Sequence, residues 1–240
     1  MSVQDPFGLL LGDLGLARAV KSTREAIARV HRRPTVLRRA DVVSSESLVR
    51  GARASLAIDG TSTDRLPDDL ADVDNQSPFA CMMSAYSLLA PGKQVETVRT
   101  FLRAPMQVLA RIDVAMGGEG FPVAAPGRVQ QLAELIVKRP SGEGYDSVMP
   151  AVLHGEIAAG AIFGERSRTL GRLAARIAAV ATGFDPQGIC VPETYMNRHR
   201  ARYEDQLAGY QSGDQVGFIR FQLDAWKAGA KEADGIARAA

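Results

Sequence analysis

Apolar residues recur three or four positions apart along almost the whole chain, which is the spacing of one face of an α-helix. Series of short alternating apolar and polar runs, which are typical of sheets, are not found. The pattern therefore predicts an all-α fold. The predicted helices cover residues 14–30, 45–59, 78–90, 93–103, 105–116, 128–138, 146–163, 168–181, 192–210 and 214–230.

The segments between these helices are marked by glycine, proline and polar residues. Ser45 is a suitable N-cap for the second helix, and Gly60 is placed to end it. The acidic segment 61–78 is broken by a proline and is predicted to form a mobile loop. Segment 116–126, MGGEGFPVAAP, is rich in glycine and proline, so we expect either a loop or a short β-hairpin there.

The helix predicted over 146–163 is the most apolar of the chain, so we expect it to lie at the centre of the fold with 168–181 as its partner. Residues 160–172, GAIFGERSRTLGR, connect the two. An apolar helix, a polar turn and a new helix N-terminus give the outline of an anion-binding loop, because the first amide groups of a helix lack partners. Ser167 and Thr169 are both good N-cap types for the second helix.

A row of arginines begins at the same place. Arg168, Arg172 and Arg176 are four residues apart and share one helical face, and Arg166 precedes them. Like charges at this spacing cost a few tenths of a kcal/mol per pair unless an acid or an anion lies among them. We weigh a bound negative group equally with a face that is simply solvated.

Composition limits the classes of protein that remain. A chain of 240 residues with 46% hydrophobic content can bury the core of one large domain, or of one domain with a helical extension. The net charge of +2 creates no general attraction to nucleic acid or membrane. No signal peptide or apolar span of about 20 residues is found, so we expect a cytoplasmic protein. Cys81 and Cys190 are expected to be reduced, buried thiols.

The segment 29–39, RVHRRPTVLRR, is the densest basic run of the chain. It lacks interleaved aromatic residues and any recognisable DNA-reading motif, so nucleic-acid binding is disfavoured. We expect a solvated face or a contact in a homodimer instead. The chain has three histidines, His31, His154 and His199. No two of them have the spacing that would place them on one face of a helix as metal ligands, so zinc is not expected.

Around the loop formed by residues 160–172, the sequence resembles a known family. The segment from His154 to Trp226 is similar to the second half of the Fic (Fido) domain, whose signature is HPFxxGNGRxxR. Phe163 and Arg172 fix the register of the signature without gaps. The segment 197–207, NRHRARYEDQL, with the following GD and aromatic helix, resembles the usual end of the family.

A second element carries the same resemblance. Many Fic proteins have an inhibitory helix, (S/T)xxxE(G/N), whose glutamate pairs with the last signature arginine and blocks productive placement of ATP. Here SLAIDG supplies Ser55, Asp59 and Gly60, with aspartate in place of glutamate. The resemblance implies an N-terminal helical region with this inhibitory-like helix over residues 1–76, followed by a Fido-like helical core over residues 77–240.

The chemistry that the family implies is altered here. Fic proteins transfer AMP from ATP to a hydroxyl side chain of a target protein, with the signature histidine as general base. Ala161 occupies that position and cannot accept a proton, which removes a contribution worth roughly 10²–10⁴-fold in rate. His154, which matches a histidine often found earlier in the family, lies about 10 Å away along the helix and cannot replace it.

The phosphate-binding part of the signature is also changed. Arg166, Ser167 and Arg168 replace Gly-Asn-Gly, so side chains fill the space where backbone amides would approach a pyrophosphate. Thr169 replaces the first signature arginine. Glu165 occupies the family's acidic position, where a carboxylate can hold magnesium. The family's flap, which aligns the target chain, falls on segment 116–126, and an ordinary loop is weighed equally with it.

Three hypotheses remain open. In the first, a degenerate site binds a nucleotide such as ATP with Mg²⁺, or another phosphate-type anion, through arginine forks, without protein AMPylation. In the second, the chain is an active nucleotide-dependent transferase of altered chemistry. In the third, the site is purely structural, with Asp59 and Arg172 as a fixed ion pair and the fold serving contacts with a protein partner.

Overall fold

The computed structural model describes residues 5–61, 74 and 77–240. Within these ranges the chain forms eleven α-helices and no β-strand, so the predicted all-α fold is confirmed. In chain order the helices are α1 (Leu14–His31), α2 (Pro34–Ile58), α3 (Pro78–Tyr86), α4 (Gln94–Phe101), α5 (Pro105–Ala115), α6 (Pro126–Lys138), α7 (Glu143–Ala159), α8 (Ser167–Ala181), α9 (Pro192–Arg198), α10 (Arg200–Gln211) and α11 (Gln215–Ala239).

Most of these helices begin at residues suited to a helix start. Proline occupies the first position of α2, α3, α5, α6 and α9, where its missing N–H would have no intrahelical partner in any case. The side chains of Asp13, Ser77 and Asp214 each accept a hydrogen bond from the backbone N–H three residues later, and so cap α1, α3 and α11.

Helices α7 and α8 form the centre of the fold, as the sequence predicts. Twelve of the 17 residues of α7 and twelve of the 15 residues of α8 are buried. The two helices approach closely at Gly171, where an added Cβ would lie 2.9 Å from the carbonyl oxygen of His154. Burial on nearly every face explains why α7 is apolar almost all round.

The remaining helices pack around this pair. Helix α1 lies along α11, while α2 contacts α3 and α9, and α10 contacts α11 and α7. Side chains at the end of α2 reach α8: Ser55 and Asp59 bond Arg172, so the segment 55–60 meets the signature segment. No helix of the described ranges has the length and apolar character needed to cross a lipid bilayer.

The second helix begins eleven residues earlier than predicted. Ser45 lies inside α2 and is not an N-cap; the helix begins at Pro34 and contains a kink at Arg39, with φ −137° and ψ 40°. Proline can follow the end of one helix and is equally suited to the first position of the next, and Pro34 occupies that first position. The kink separates the first turn of α2 from the longer part of the helix that follows.

Several further helix bounds differ from the prediction. Helix α11 continues to Ala239 instead of ending at residue 230, and α7 begins at Glu143 instead of residue 146. The region 192–210 is broken at His199 into α9 and α10, which meet there with non-helical backbone angles. Helix α7 ends at Ala159 rather than at residue 163, because Ala161 has a left-handed φ of +47° that cannot continue a right-handed helix. The turn of the signature thus begins four residues earlier than expected.

The segment 116–126 forms a loop, and the alternative prediction of a β-hairpin is wrong. Gly117 and Gly120 have φ values of +85° and +80°, which glycine adopts without strain and which direct the chain out of an extended conformation. The backbone N–H of Val123 donates a 2.7 Å hydrogen bond to the carbonyl of Ile162, which fixes the loop beside the signature turn. Most of the predicted loop 61–78 lies outside the described residues.

Candidate functional site

The signature turn, residues 160–166, joins α7 to α8 and is held by its own hydrogen bonds. Ser167 Oγ accepts from the backbone N–H of Phe163 at 2.7 Å and donates to the carbonyl of Gly164 at 2.7 Å. Ser167 is buried and is itself the first residue of α8, so it closes the turn rather than capping the helix as predicted. Thr169 does not cap it either, because its hydroxyl is bonded elsewhere.

Ala161, which the resemblance aligns with the family's catalytic histidine, is exposed at this turn. Its left-handed backbone conformation costs an alanine roughly 1–2 kcal/mol, and its methyl group has no lone pair with which to accept a proton. The turn therefore presents no general base at this position.

Arg172 is the centre of the buried polar contacts between α8 and α2. Its guanidinium donates to Asp59 Oδ2 at 2.6 Å, to Ser55 Oγ at 3.0 Å and to Thr169 Oγ1 at 2.8 Å. Thr169 in turn donates to Asp59 at 2.5 Å. Gly60, with φ +85°, ends α2 just beyond this contact. The predicted ion pair between Asp59 and Arg172 is present.

The pKa of Arg172 depends on two opposing effects, burial and the nearby polar groups, chiefly the negative charge of Asp59. Burial lowers the pKa of the Arg172 guanidinium, but the charge and hydrogen bond of Asp59, together with Tyr203 and Tyr86, outweigh this effect and raise the pKa above its ordinary value. Arg172 is consequently a permanent cation inside the protein, compensated by one carboxylate. Its Nη1 is nevertheless buried without a hydrogen-bond partner among the described residues.

The other three arginines also meet carboxylates. Arg166 Nε lies 2.7 Å from the buried Asp113, and Arg168 lies 2.7 Å from Glu204 of α10. Arg176 lies 3.1 Å from Glu193 of α9, and both side chains are almost fully buried. The negative groups expected among the arginines are therefore acidic side chains of the chain itself. Only Asp59 could be identified from sequence, since the other three acids belong to no signature.

A buried network extends from Arg176 toward α2 and α3 and was not predicted. Tyr86 donates to Glu193 at 3.0 Å and lies 2.6 Å from Ser55 Oγ, while Ser47 Oγ lies 2.6 Å from Arg176 Nη2. Burial raises the pKa of Tyr86 well above its ordinary value, so the phenol stays protonated. Since Ser55 also accepts from Arg172, the two buried arginines are linked by one chain of hydrogen bonds.

His154 is inside the protein and does not reach the turn. Its Nε2 lies 2.8 Å from the hydroxyl of Tyr203. Burial first, and then the charge of Arg172, lowers the pKa of His154 to about 3. The imidazole is therefore neutral at ordinary pH and is packed against Tyr203 and Phe218. It acts as a core residue.

An open depression of about 540 Å³ lies beside the signature turn. Ala161, Glu165 and Arg168 line one side of it, and Glu204 and Asp205 of α10 line the other. Its charged side chains are thus three carboxylates and one arginine, which is already paired with Glu204. Within the described part of the chain no three His, Cys, Asp or Glu side chains are grouped so as to hold a metal ion. Glu165 is exposed.

Exposed apolar side chains border the same turn. Phe121 and Val123 of the loop 116–126 are each 71% exposed, and Val114 at the end of α5 is 57% exposed. The hydrogen bond from Val123 to Ile162 places Val123 next to the signature turn, and the close approach of Gly120 to Val114 places the same loop against the end of α5. Solitary exposed apolar residues are common, but three around one fixed loop form a patch typical of protein contacts.

Comparison with known proteins supports the architecture. No family model matches the sequence. No curated protein matches it either. Among solved structures, the chain is similar to a Fic family protein from Desulfovibrio desulfuricans G20, with a TM-score of 0.55 and 16% sequence identity over 91% of this chain and 73% of that chain. The chain therefore has the helical fold of a Fic family protein.

Proposed function

We propose that this chain is a Fic-fold interaction module whose signature site is closed by internal ion pairs and does not transfer AMP. One observation carries the proposal: Arg166, Arg168 and Arg172, the side chains available to hold a pyrophosphate, are each bonded to a carboxylate of the same chain. An incoming phosphate must break these pairs before it can form its own.

The cost of opening the site differs among the three arginines. Arg168 and Glu204 are both partly exposed, and such pairs contribute only about 0–1 kcal/mol. Arg172 is fully buried against Asp59, and Asp113 is fully buried beneath Arg166. Breaking a fully buried pair from one side costs about 3–5 kcal/mol, and the partial exposure of Arg166 and Asp59 lowers this cost for the two pairs. This penalty opposes nucleotide binding at the two inner arginines.

The chemistry of the turn supports the same proposal. Ala161 supplies no base, and the carboxylates Glu165, Glu204 and Asp205 around the depression repel the charges of a triphosphate. The exposed patch of Val114, Phe121 and Val123 remains available at the position where the resemblance places the flap for a target chain. We assign this patch to contact with a protein partner.

The proposal is tested with ATP labelled at the α-phosphate, incubated with magnesium and a cell extract that supplies hydroxyl acceptors. Protein-bound label and released pyrophosphate are measured for the wild type, Glu165→Ala and Arg172→Ala. We expect label at the level of the heat-denatured control for all three. Transfer by the wild type that both variants lose would contradict the proposal and support an active transferase of altered chemistry.

One observation favours a second candidate, a site that binds a nucleotide once Asp59 withdraws. Nη1 of Arg172 is buried without a partner among the described residues, and a phosphate oxygen is a suitable acceptor for it. Asp59 is 29% exposed and is the carboxylate paired with Arg172, so a change in α2 is enough to release the guanidinium. Glu165 could then contribute one carboxylate toward Mg²⁺.

The second candidate is tested by melting temperatures with ATP, GTP and phosphate, each with and without magnesium. It predicts that one nucleotide raises the melting temperature of Asp59→Ala, and that the effect disappears in Asp59→Ala/Arg172→Met. Glu204→Ala serves as the matched control for removal of an outer acid. Equal melting temperatures with and without every ligand would exclude this candidate and leave the closed module.

A further inference from the structure

A groove of about 670 Å³ lies between α1 and α11, away from the residues of the signature turn. Its lining includes Arg29 and Arg33 from the basic run 29–39, together with Lys227, Lys231 and Arg238 of α11. Two acids, Asp224 and Asp234, are also part of the lining. The groove is therefore predominantly basic in a protein whose net charge is only +2.

The two helices run side by side in the same direction. Thr23 of α1 bonds the carbonyl of Leu223, and further along, Arg33 pairs with Asp234 at 2.5 Å. The lining of α11 extends from Asp224 to Arg238, which corresponds to about 20 Å at the rise of an α-helix. A groove of this length matches about four turns of a bound helix rather than one small molecule.

Several cations of the groove are not engaged by the protein. Arg33 and Arg238 share Asp234. Arg29 and Lys231 form no ion pair within the described ranges, and Lys227 contacts only the hydroxyl of Ser22 at 3.3 Å. Lys227 and Lys231 are four residues apart on α11, so they repel each other until a negative group lies between them.

The floor of the groove is apolar and made of small side chains. Ala26 and Val30 of α1 meet Ala228 and Ala230 of α11, and Tyr195 adds an aromatic edge. Short side chains allow the backbone of a ligand to approach closely, and a helix that lays an apolar face on such a floor keeps its charged residues at the basic rim.

We propose that this groove binds an acidic amphipathic helix of a partner protein. Carboxylates of that helix pair with Arg29, Lys227 and Lys231, while its apolar face covers the floor. Asp224 is half exposed and disfavours a nucleic-acid strand, because a continuous row of phosphates would pass close to its carboxylate. A bound helix can instead place a basic residue opposite Asp224. The three free cations are exposed, so a single phosphate ion gains little from them.

The test uses the full chain and a fluorescent helical peptide of about 16 residues with glutamates four apart on one face and leucines on the other. Fluorescence anisotropy gives Kd. We expect micromolar binding that weakens at least about tenfold in Lys227→Glu/Lys231→Glu and falls with added salt. The control Lys93→Glu/Lys138→Glu carries the same charge change on exposed lysines outside the groove and should bind as the wild type does.

Three outcomes overturn the proposal. The first is the absence of peptide binding, or equal weakening in both double variants. The second is a single-stranded oligonucleotide that binds more tightly than the peptide and is lost in Lys227→Glu/Lys231→Glu, which assigns the groove to nucleic acid. The third is a concentration-dependent dimer abolished by the same variant in sedimentation, which assigns the groove to a second copy. A peptide of the same length with lysine in place of glutamate is the control for charge and should not bind.

Discussion

Two arginine side chains of α8, Arg172 and Arg176, are almost completely withdrawn from water and still carry their charge. Each is compensated by one carboxylate and by hydroxyl or carbonyl oxygens, which satisfy most of the guanidinium donors. Arginine suits this role because its planar fork bonds several oxygens at once and its pKa is too high for it to lose the proton. At the scale of single residues, Arg172 and Arg176 behave as structural cations.

Removal of one inner acid should cost far more stability than removal of an outer one. Glu193→Gln leaves Arg176 buried without a counter-charge, so we expect the free energy of unfolding to fall by about 3–5 kcal/mol. Glu204→Gln breaks the exposed pair with Arg168 and should cost about 0–1 kcal/mol. Urea denaturation of both variants measures the difference; equal losses would show that burial does not set the value of these pairs.

Two histidines, His31 and His154, determine how the free energy of unfolding should depend on pH. Burial lowers the pKa of His31, but the hydrogen bond and the charge of Asp185 act in the opposite direction. The net result is a pKa above 6.5 for His31 in the folded chain. Its stabilisation is complete below pH 6.5 and is lost as pH rises through the raised pKa. The pKa of His154 is lowered to about 3, so the unfolded chain takes up a proton first and stability falls as pH drops below 6.5. Stability should therefore be greatest near pH 6.5.

Urea denaturation between about pH 5 and pH 9 measures this dependence. In His31→Gln the loss of stability on the alkaline side should disappear, while the loss on the acidic side remains. Gln187 and Asp185 are the groups that face His31, and Asp185 stays held by the backbone N–H groups of Ile189 and Cys190 in the variant. A wild-type curve that rises continuously above pH 6.5 would contradict the role assigned to His31.

At the scale of elements, the close contact of α7 and α8 decides where the signature turn lies. Gly171 has no Cβ, and this lets α8 approach the backbone of α7 at His154. The sequence predicted the pairing of the two helices because apolar periodicity is strong in both. It placed the end of α7 four residues too late, since only the fold reveals that Ala161 adopts a left-handed conformation.

Substitution of two helical glycines should have opposite effects. Gly171→Ala forces a methyl group within 3.0 Å of His154, and overpacking of this kind costs about 1–3 kcal/mol. At Gly235 of α11 no atom lies within 4 Å of an added Cβ, so Gly235→Ala should stabilise the helix by up to about 1 kcal/mol. Melting temperatures compare the two; a stabilised Gly171→Ala would refute the close approach of α7 and α8.

At the scale of the whole molecule, the fold collects acids from four separate elements around one arginine row. Asp59 follows α2, Asp113 belongs to α5, Glu193 to α9 and Glu204 to α10. The sequence could indicate the arginine row and, through the resemblance to Fic proteins, Asp59. It could not identify the other three acids, because their positions depend on how distant helices pack and no local pattern marks them.

The helical class and most helix positions were predictable for a related reason. Apolar spacing, proline and glycine act within a few residues, so they are visible in the sequence. Pro34 and Ser45 were misassigned because each residue type is compatible with more than one position of a helix, and the packing of α2 on α3 and α9 decides between them. The groove between α1 and α11 combines segments about 200 residues apart, and only its basic run was visible beforehand.

The central claim is that the signature arginines are held as structural ion pairs, and a double-mutant cycle on Asp59 and Arg172 tests it most directly. The free energy of unfolding is measured for the wild type, Asp59→Ala, Arg172→Met and the double variant; methionine keeps much of the arginine's length in the core. We predict a coupling energy of about 2 kcal/mol and no further effect of Mg²⁺ and ATP on the wild type. A coupling energy within about 0.5 kcal/mol of zero, with ATP stabilising Asp59→Ala, would contradict the account and make Asp59 a gate on a ligand site.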